Sequence, residues 1–205
     1  MNGMENRLEL YFVRHGETEW NREGRLQGWL DSELTPRGIG QVKQLKEHLK
    51  DVQFDCAFSS PSTRAYDTAY LLVGHYLPIK RDPRLLEIHL GTWQGKRIAE
   101  LEKGDLRYRD YIHNPERYLP DTGESFQQVI SRMVDFMKSC QRNFPTGKIL
   151  AVSHGVAIRA AILSILELPV SNIWDFHIDG ASVTKMVIAD HQWSIEYIGK
   201  TFSVE

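Results

Sequence analysis

At 205 residues the chain can bury a sizeable core, and a single domain over residues 1–205 is expected in preference to two small ones. Hydrophobic residues at 41% and charged residues at 25% are ordinary for a globular protein, and a formal net charge of -2 leaves no basic footprint for nucleic acid, so any attraction for anions must be local. Two cysteines, Cys56 and Cys140, sit in apolar surroundings without a Cys-x-x-Cys spacing, which favours buried thiols in a reducing, cytoplasmic compartment over a disulfide or a zinc site.

The stretch Met1 to Arg7 mixes acids and bases and precedes an apolar run too short for a signal-peptide core. Met1 to Glu5 read as a loose tail, with Met4 an alternative start. Leu8 to Arg14 is a continuous apolar run, the pattern of a central strand covered on both faces. Thr35-Pro36 offers an N-cap and a first-turn proline to a helix whose Ile39, Val42, Leu45 and Leu49 form one stripe. Asp55 to Ser59 is a shorter strand, and Ser60-Pro61 opens a helix running to about Val73. Asp105 to Gly123 mixes Tyr108, Tyr111, His113 and Tyr118 with arginines, acids and two prolines; it reads as a lid or substrate-specificity segment more than a core element, with a surface excursion as the alternative. Ser125 and Gln128 form a capping box before Phe126, Val129, Ile130, Met133, Met137 and Cys140. Lys148 to Ser153 is a second continuous apolar strand, and the helix after His154 is apolar almost all round and should be buried. Its stretch Val156 to Leu168 is interrupted by Arg159 and too short to span a bilayer, so no membrane insertion is expected. Val183 to Ala189 and Trp193 to Ile198 read as later strands, the last alternating like a sheet edge. This order predicts an α/β chain folded as a three-layer α/β/α sandwich around a mostly parallel, mixed sheet.

In such a sheet the carboxyl ends of the parallel strands form the ligand crevice, and helix N-termini there add partial positive charge. Arg14-His15-Gly16 ends the first strand, Arg64 falls in the first turn of the helix after Ser60-Pro61, Glu87 follows a short apolar step, and His154 ends the strand Ile149 to Val152. Arg14, His15, Arg64 and His154 are thereby expected to surround one phosphoryl group, with guanidinium forks matched to its oxygens and His15 as a nucleophile.

The blocks Arg14-His15-Gly16-Glu17-Thr18-Glu19-Trp20-Asn21 and Arg25-Leu26-Gln27-Gly28-Trp29 resemble the phosphoglycerate mutase-like histidine phosphatases. The resemblance continues through Leu34 to Gly38, Ser59 to Ala69, Leu86 to Gly95, Gly123-Glu124-Ser125 and Ser153-His154-Gly155, and so covers nearly the whole chain in order. It implies an acid-type histidine phosphatase, a phosphoric monoester hydrolase in which His15 takes the phosphoryl group and passes it to water or another acceptor. By that resemblance His154 completes the pocket as a donor, Glu87 is general acid and then base, and Thr18, Asn21, Gln27 and the backbone at Gly28 add neutral contacts to the phosphate. Glu17 and Glu124 read as structural, and His89 and His113 as bystanders.

A metal among His15, His154, Glu87 and His89 is opposed by two arginines in the same pocket and by the lack of a His-x-x-x-His spacing, so neither a metal nor another cofactor is expected. Within the family the phosphatase reading is preferred, because Gln27 stands where the mutases usually carry threonine and the longer insertion after the Glu87 region is missing. A small-molecule phosphomonoester is the expected partner, with a monomer or homodimer as the assembly. A cofactor-dependent phosphoglycerate mutase, or a sugar or alpha-ribazole phosphatase, are the alternatives within the fold. A non-catalytic phospho-ligand binder is a remote one, since Arg14, His15, Arg64, Glu87 and His154 are all present.

Overall fold

The computed structural model describes residues 7–202, so the tail expected over Met1 to Glu5 lies outside the described residues. One six-stranded sheet runs in the order β3-β2-β4-β1-β5-β6, formed by Ile79–Arg81, Cys56–Ser59, Gly147–Ser153, Arg7–Arg14, Val183–Ala189 and Gln192–Lys200. The first four strands are mutually parallel, and β5 joins β1, and β6 joins β5, by antiparallel pairing, which is the mixed sheet expected. Central β1 and β4 are buried on both faces, so their inner stretches, Leu10 to Val13 and Ile149 to Val152, are apolar throughout.

Alternate residues of β1 serve the two helical layers. Leu8, Leu10 and Phe12 join the core shared with α6 (Phe126–Asn143) and α7 (Gly155–Leu166), while Tyr11 and Val13 join the core shared with α2 (Pro36–His48) and α3 (Thr63–Val73). The three-layer sandwich follows from this alternation. The Thr35 side chain caps α2 through the Gly38 amide, and Ser125 and Gln128 make the reciprocal capping box at α6.

One reading is corrected. The second helix begins at Thr63 after Ser62, not at Ser60-Pro61, because the Ser60 hydroxyl accepts from the Ser62 amide at 3.4 Å and bonds the His154 ring at 2.8 Å. The segment 105–123 contributes to the core on one side. Within it α5 (Leu106–His113) is capped by Asp105, and Tyr108, Tyr111 and Tyr118 are buried around Trp93 at centroid separations of 5.5, 5.7 and 5.6 Å. Rings of this size remove much apolar area from water, and edge and offset stacking add to that gain. Two short helices, α1 (Glu19–Arg22) and α4 (Ile98–Leu101), complete the fold. Among the described residues no helix is long and apolar enough to cross a membrane.

Candidate active site

Parallel pairing of β1 with β4 sets Arg14 opposite Ser153, and the His15 amide continues the ladder to the Ser153 carbonyl at 3.1 Å. His15 and His154 therefore leave the sheet side by side, with ring centroids 5.2 Å apart. The His15 Nδ1 lies 2.7 Å from the Gly16 carbonyl oxygen, which can only accept, so Nδ1 carries the proton and Nε2 the lone pair. Arg64 Nε donates towards that Nε2 at 3.3 Å. His15 is 3% exposed, and burial first, then the Arg64 and Arg14 charges, push its pKa well below the usual imidazole value. The ring is thus held neutral with its free nitrogen facing a cation.

Arg64 is itself fixed by three carbonyl or carboxylate acceptors. Its Nη1 donates to the Leu30 carbonyl at 2.7 Å and to Asp31 Oδ1 at 2.9 Å, and its Nη2 to the Gly28 carbonyl at 2.8 Å. Gly28 adopts φ +56° to present that carbonyl, and a Cβ there would fall 2.4 Å from Gln94 Oε1, so a larger residue would be strained and would displace the Gln94 side chain. Arg14 Nη1 donates to the Ile178 carbonyl at 2.7 Å, whereas its buried Nε finds no acceptor among the described residues. The same holds for His154 Nδ1, while the other ring nitrogen is held by Ser60. Unsatisfied donors buried in a polar cleft are costly in an empty protein and become useful once an anion enters.

Glu87 sits at the N-terminus of α7. Its Oε1 accepts from the Ile88 and Ala157 amides at 2.9 and 3.2 Å, and Oε2 from the Val156 amide at 3.2 Å. Its backbone carbonyl is pinned by Trp29 Nε1 and Arg132 Nη2. A cavity of about 270 Å³ brings together Arg14, His15, Asn21, Gln27, Gly28, Arg64, Glu87 and, near its outer side, Tyr108, Tyr111, Arg159 and Trp174. A larger concavity of about 710 Å³, which also touches Arg14, is lined by neither His15 nor Glu87, so the chemistry belongs to the smaller one; His154 is fully buried behind His15 and lines neither.

Thr18 does not line that cavity. It is fully buried, its side chain accepts from the Asn21 amide, and Asn21 Oδ1 returns a bond to the Thr18 amide, closing a capping box at α1. Gln27 Oε1 accepts from the Ser32 hydroxyl, leaving the amide nitrogen for the cleft. Glu17 pairs with Arg37 and Thr35, and Glu124 with Arg132, both away from the reacting centre. His89 packs on Trp29. Sequence reasoning missed three contributors. Asp31 and Ser60 act through a partner brought close only by folding, and Arg159 reads locally as nothing more than a break in an apolar helix. Among the described residues no group of three or more His, Cys, Asp or Glu is arranged to hold a metal ion.

Known proteins resemble this chain over most of its length. The phosphoserine phosphatase 1 of Hydrogenobacter thermophilus is 34% identical over 177 residues, covering 85% of this chain and 84% of that protein. The structure of Bacillus stearothermophilus YhfR superposes with a TM-score of 0.90 at 33% identity, over 95% of this chain and 98% of that one. An Entamoeba histolytica phosphoserine phosphatase, solved with 3-phosphoglyceric acid, gives a TM-score of 0.85 at 31% identity, over 95% and 98% of the two chains. The sequence model of the histidine phosphatase superfamily (branch 1) matches residues 10–201, which include all four cationic or imidazole groups and Glu87, and the chain belongs to that superfamily.

Proposed function

We propose that the protein hydrolyses small phosphomonoesters in two steps through a phosphohistidine at His15, with guanidinium groups supplying the positive charge. The observation that carries this reading is the His15 ring, whose Nδ1 is tied to the Gly16 carbonyl and whose Nε2 faces Arg64 inside the cavity. In the first step the Nε2 lone pair attacks phosphorus, the P–O ester bond breaks, and Glu87 gives its proton to the departing oxygen. In the second, water attacks the phosphorus, Glu87 takes its proton, and the N–P bond breaks to release phosphate and neutral His15. Arg14, Arg64 and His154 Nδ1 meet the phosphoryl oxygens throughout, as preorganised charge in a mostly buried site. Asn21 and Gln27 add neutral contacts at the rim.

Since His15 stays neutral well below the ordinary imidazole range, the nucleophile remains available in mild acid, which supports an acid-type phosphatase. Buried, unpaired Cys56 and Cys140 support a reducing, cytoplasmic setting. Tyr108, Tyr111 and Ile112 line the same cavity as His15, which supports a role for the segment 105–123 in specificity.

The test is hydrolysis of p-nitrophenyl phosphate with a chelator present, coupled to mass spectrometry of enzyme quenched during turnover. Turnover with a phosphoryl adduct on the peptide bearing His15, both absent in His15→Ala, is the expected result. No turnover, or equal turnover by the variant, overturns the mechanism. With 3-phosphoglycerate and catalytic 2,3-bisphosphoglycerate the expected product is free phosphate, and efficient isomerisation would instead make the chain a mutase.

A further inference from the structure

Glu87 sits on a stretch of chain with no hydrogen-bonded ladder of its own. Pro83–Leu85 makes one 3₁₀ turn, and Leu86 to Leu90 follows without helix or strand, although Leu85 and Ile88 on either side of Glu87 are fully buried. Backbone groups carried inside in this way need partners. Three of them are served by one side chain. Arg132, in the second turn of α6, donates from Nη1 to the Arg84 and Leu86 carbonyls at 2.8 and 2.6 Å and from Nη2 to the Glu87 carbonyl at 3.0 Å. Its other N–H groups meet Glu124 in a fork, Nε to Oε1 and Nη2 to Oε2, both at 2.9 Å. Every N–H of the guanidinium is thereby spent.

Glu124 holds the far end of the same stretch. Its Oε2 accepts from the His89 amide at 2.9 Å while its own amide donates to the His89 carbonyl at 2.8 Å, and a Cβ at Gly123 would collide with that carbonyl. Neither Glu124 nor Arg132 lines the catalytic cavity, and among the described residues no hydrogen bond joins either to Arg14, His15, Arg64 or His154. A largely buried ion pair adds little net stability for its desolvation cost. What this one supplies is geometry, since the backbone from Arg84 to His89 is referred to a single rigid plane. The Glu87 carboxylate can meet the Ile88, Val156 and Ala157 amides only while that backbone keeps its distance from α7. From the other side the Glu87 carbonyl is held by Trp29 Nε1 at 2.8 Å, but that ring is exposed.

We propose that the Glu124–Arg132 fork is a positioning unit for proton transfer, which sets Glu87 at the departing oxygen and takes no part in building the phosphoryl pocket. The proposal rests on the phosphatase reading above, in which Glu87 gives that proton. Both residues act through Glu87, so their loss is felt in proportion to the leaving group's need for a proton. p-Nitrophenol departs as a stable anion. The alkoxide of 3-phosphoglycerate does not, and its departure depends on a well-placed acid.

The test compares kcat/KM for these two esters, a quantity that ends for both with formation of the phosphohistidine. Arg132→Met should lower it about 100-fold for 3-phosphoglycerate, the cost of displacing a catalytic group by about 1 Å, and less than about threefold for p-nitrophenyl phosphate. Arg132→Lys keeps the charge without the fork and should fall close to Arg132→Met, whereas Glu124→Gln keeps part of the bonding and should be milder, about tenfold against threefold or less. A merely structural loss lowers both values in equal proportion. The proposal is therefore overturned if the two losses in Arg132→Met differ by less than about tenfold, and if that variant does not fold the same criterion passes to Arg132→Lys and then, at about threefold, to Glu124→Gln. A native protein that hydrolyses p-nitrophenyl phosphate but not 3-phosphoglycerate overturns it as well. Glu87→Gln is the reference and should show the same bias against the alkyl ester. Failure of the phosphatase reading is separate, since then neither ester is hydrolysed or Glu87→Gln treats the two alike.

Discussion

At the inner end of the cavity the reactive side chains hang from strand ends and helix starts and are steered by backbone atoms: His15 by the Gly16 carbonyl, Arg14 by that of Ile178, Arg64 by those of Gly28 and Leu30, Glu87 by three amides. At the outer end, Tyr108, Tyr111 and Trp174 are steered by one another, ring against ring, with Trp93, Tyr118 and Phe126 behind them. Backbone-held groups keep their places when a neighbouring side chain is changed. Ring-held groups do not, because each ring is part of the packing that fixes the next. The inner end thus suits chemistry that must not vary, and the outer wall suits a surface whose shape sequence changes can revise.

Truncation in the outer wall separates the two ends most sharply. Tyr111→Ala empties the centre of the aromatic cluster and should cost about 3–5 kcal/mol in urea unfolding, with KM affected more than kcat. A loss below about 1 kcal/mol would mean that the rings are not mutually supporting. At the inner end the converse is expected: Arg64→Lys keeps a charge but loses the fork to Gly28, Leu30 and Asp31, and kcat/KM should fall about 100- to 1,000-fold. Equal activity in the two proteins would show that point charge alone suffices.

A pH titration of stability reads the inner end without mutation. His15 and His154 are both pushed well below the ordinary imidazole pKa, by burial first and then chiefly by Arg64. Below about pH 6.5 the unfolded chain binds protons that the folded one refuses, so unfolding free energy should fall with acid by about 1.4 kcal/mol per pH unit for each histidine, and this contribution is level above about pH 7. Calorimetry or urea melts that show no decline between about pH 6.5 and 5 would place the rings in contact with solvent. Smallest is the effect of Ser125→Ala, which removes the capping box of α6 and should cost about 1 kcal/mol while kcat is retained.

The same division decides what could be read from the sequence. Strands β1 and β4 and the caps of α2 and α6 depend on neighbours within a few positions, so their patterns are local and legible. Strand β3, Ile79-Lys80-Arg81, is a charged sheet edge with no alternation to reveal it. Arg14, His15, Arg64, Glu87 and His154 are legible as a candidate set because strand ends converge in an α/β sheet and the motifs around them are specific. Thr18 was misplaced into the pocket because the motif cannot show that its hydroxyl is spent on capping. Arg159 and the burial of Tyr108, Tyr111 and Tyr118 depend on partners far along the chain, such as Phe176, Trp174 and Trp93, which no local pattern brings together.

The pairing of Arg14 with Ser153 has a last consequence for assembly. A slip of one residue between these two strands would move one imidazole along the sheet by about 3.3 Å relative to the other and turn its side chain to the opposite face. Both rings would then be lost to each other although every hydrogen-bonded strand remained. Turnover therefore reports the alignment of residues that are far apart in sequence, and a collapsed chain with full helical content but a shifted central pair would be catalytically silent.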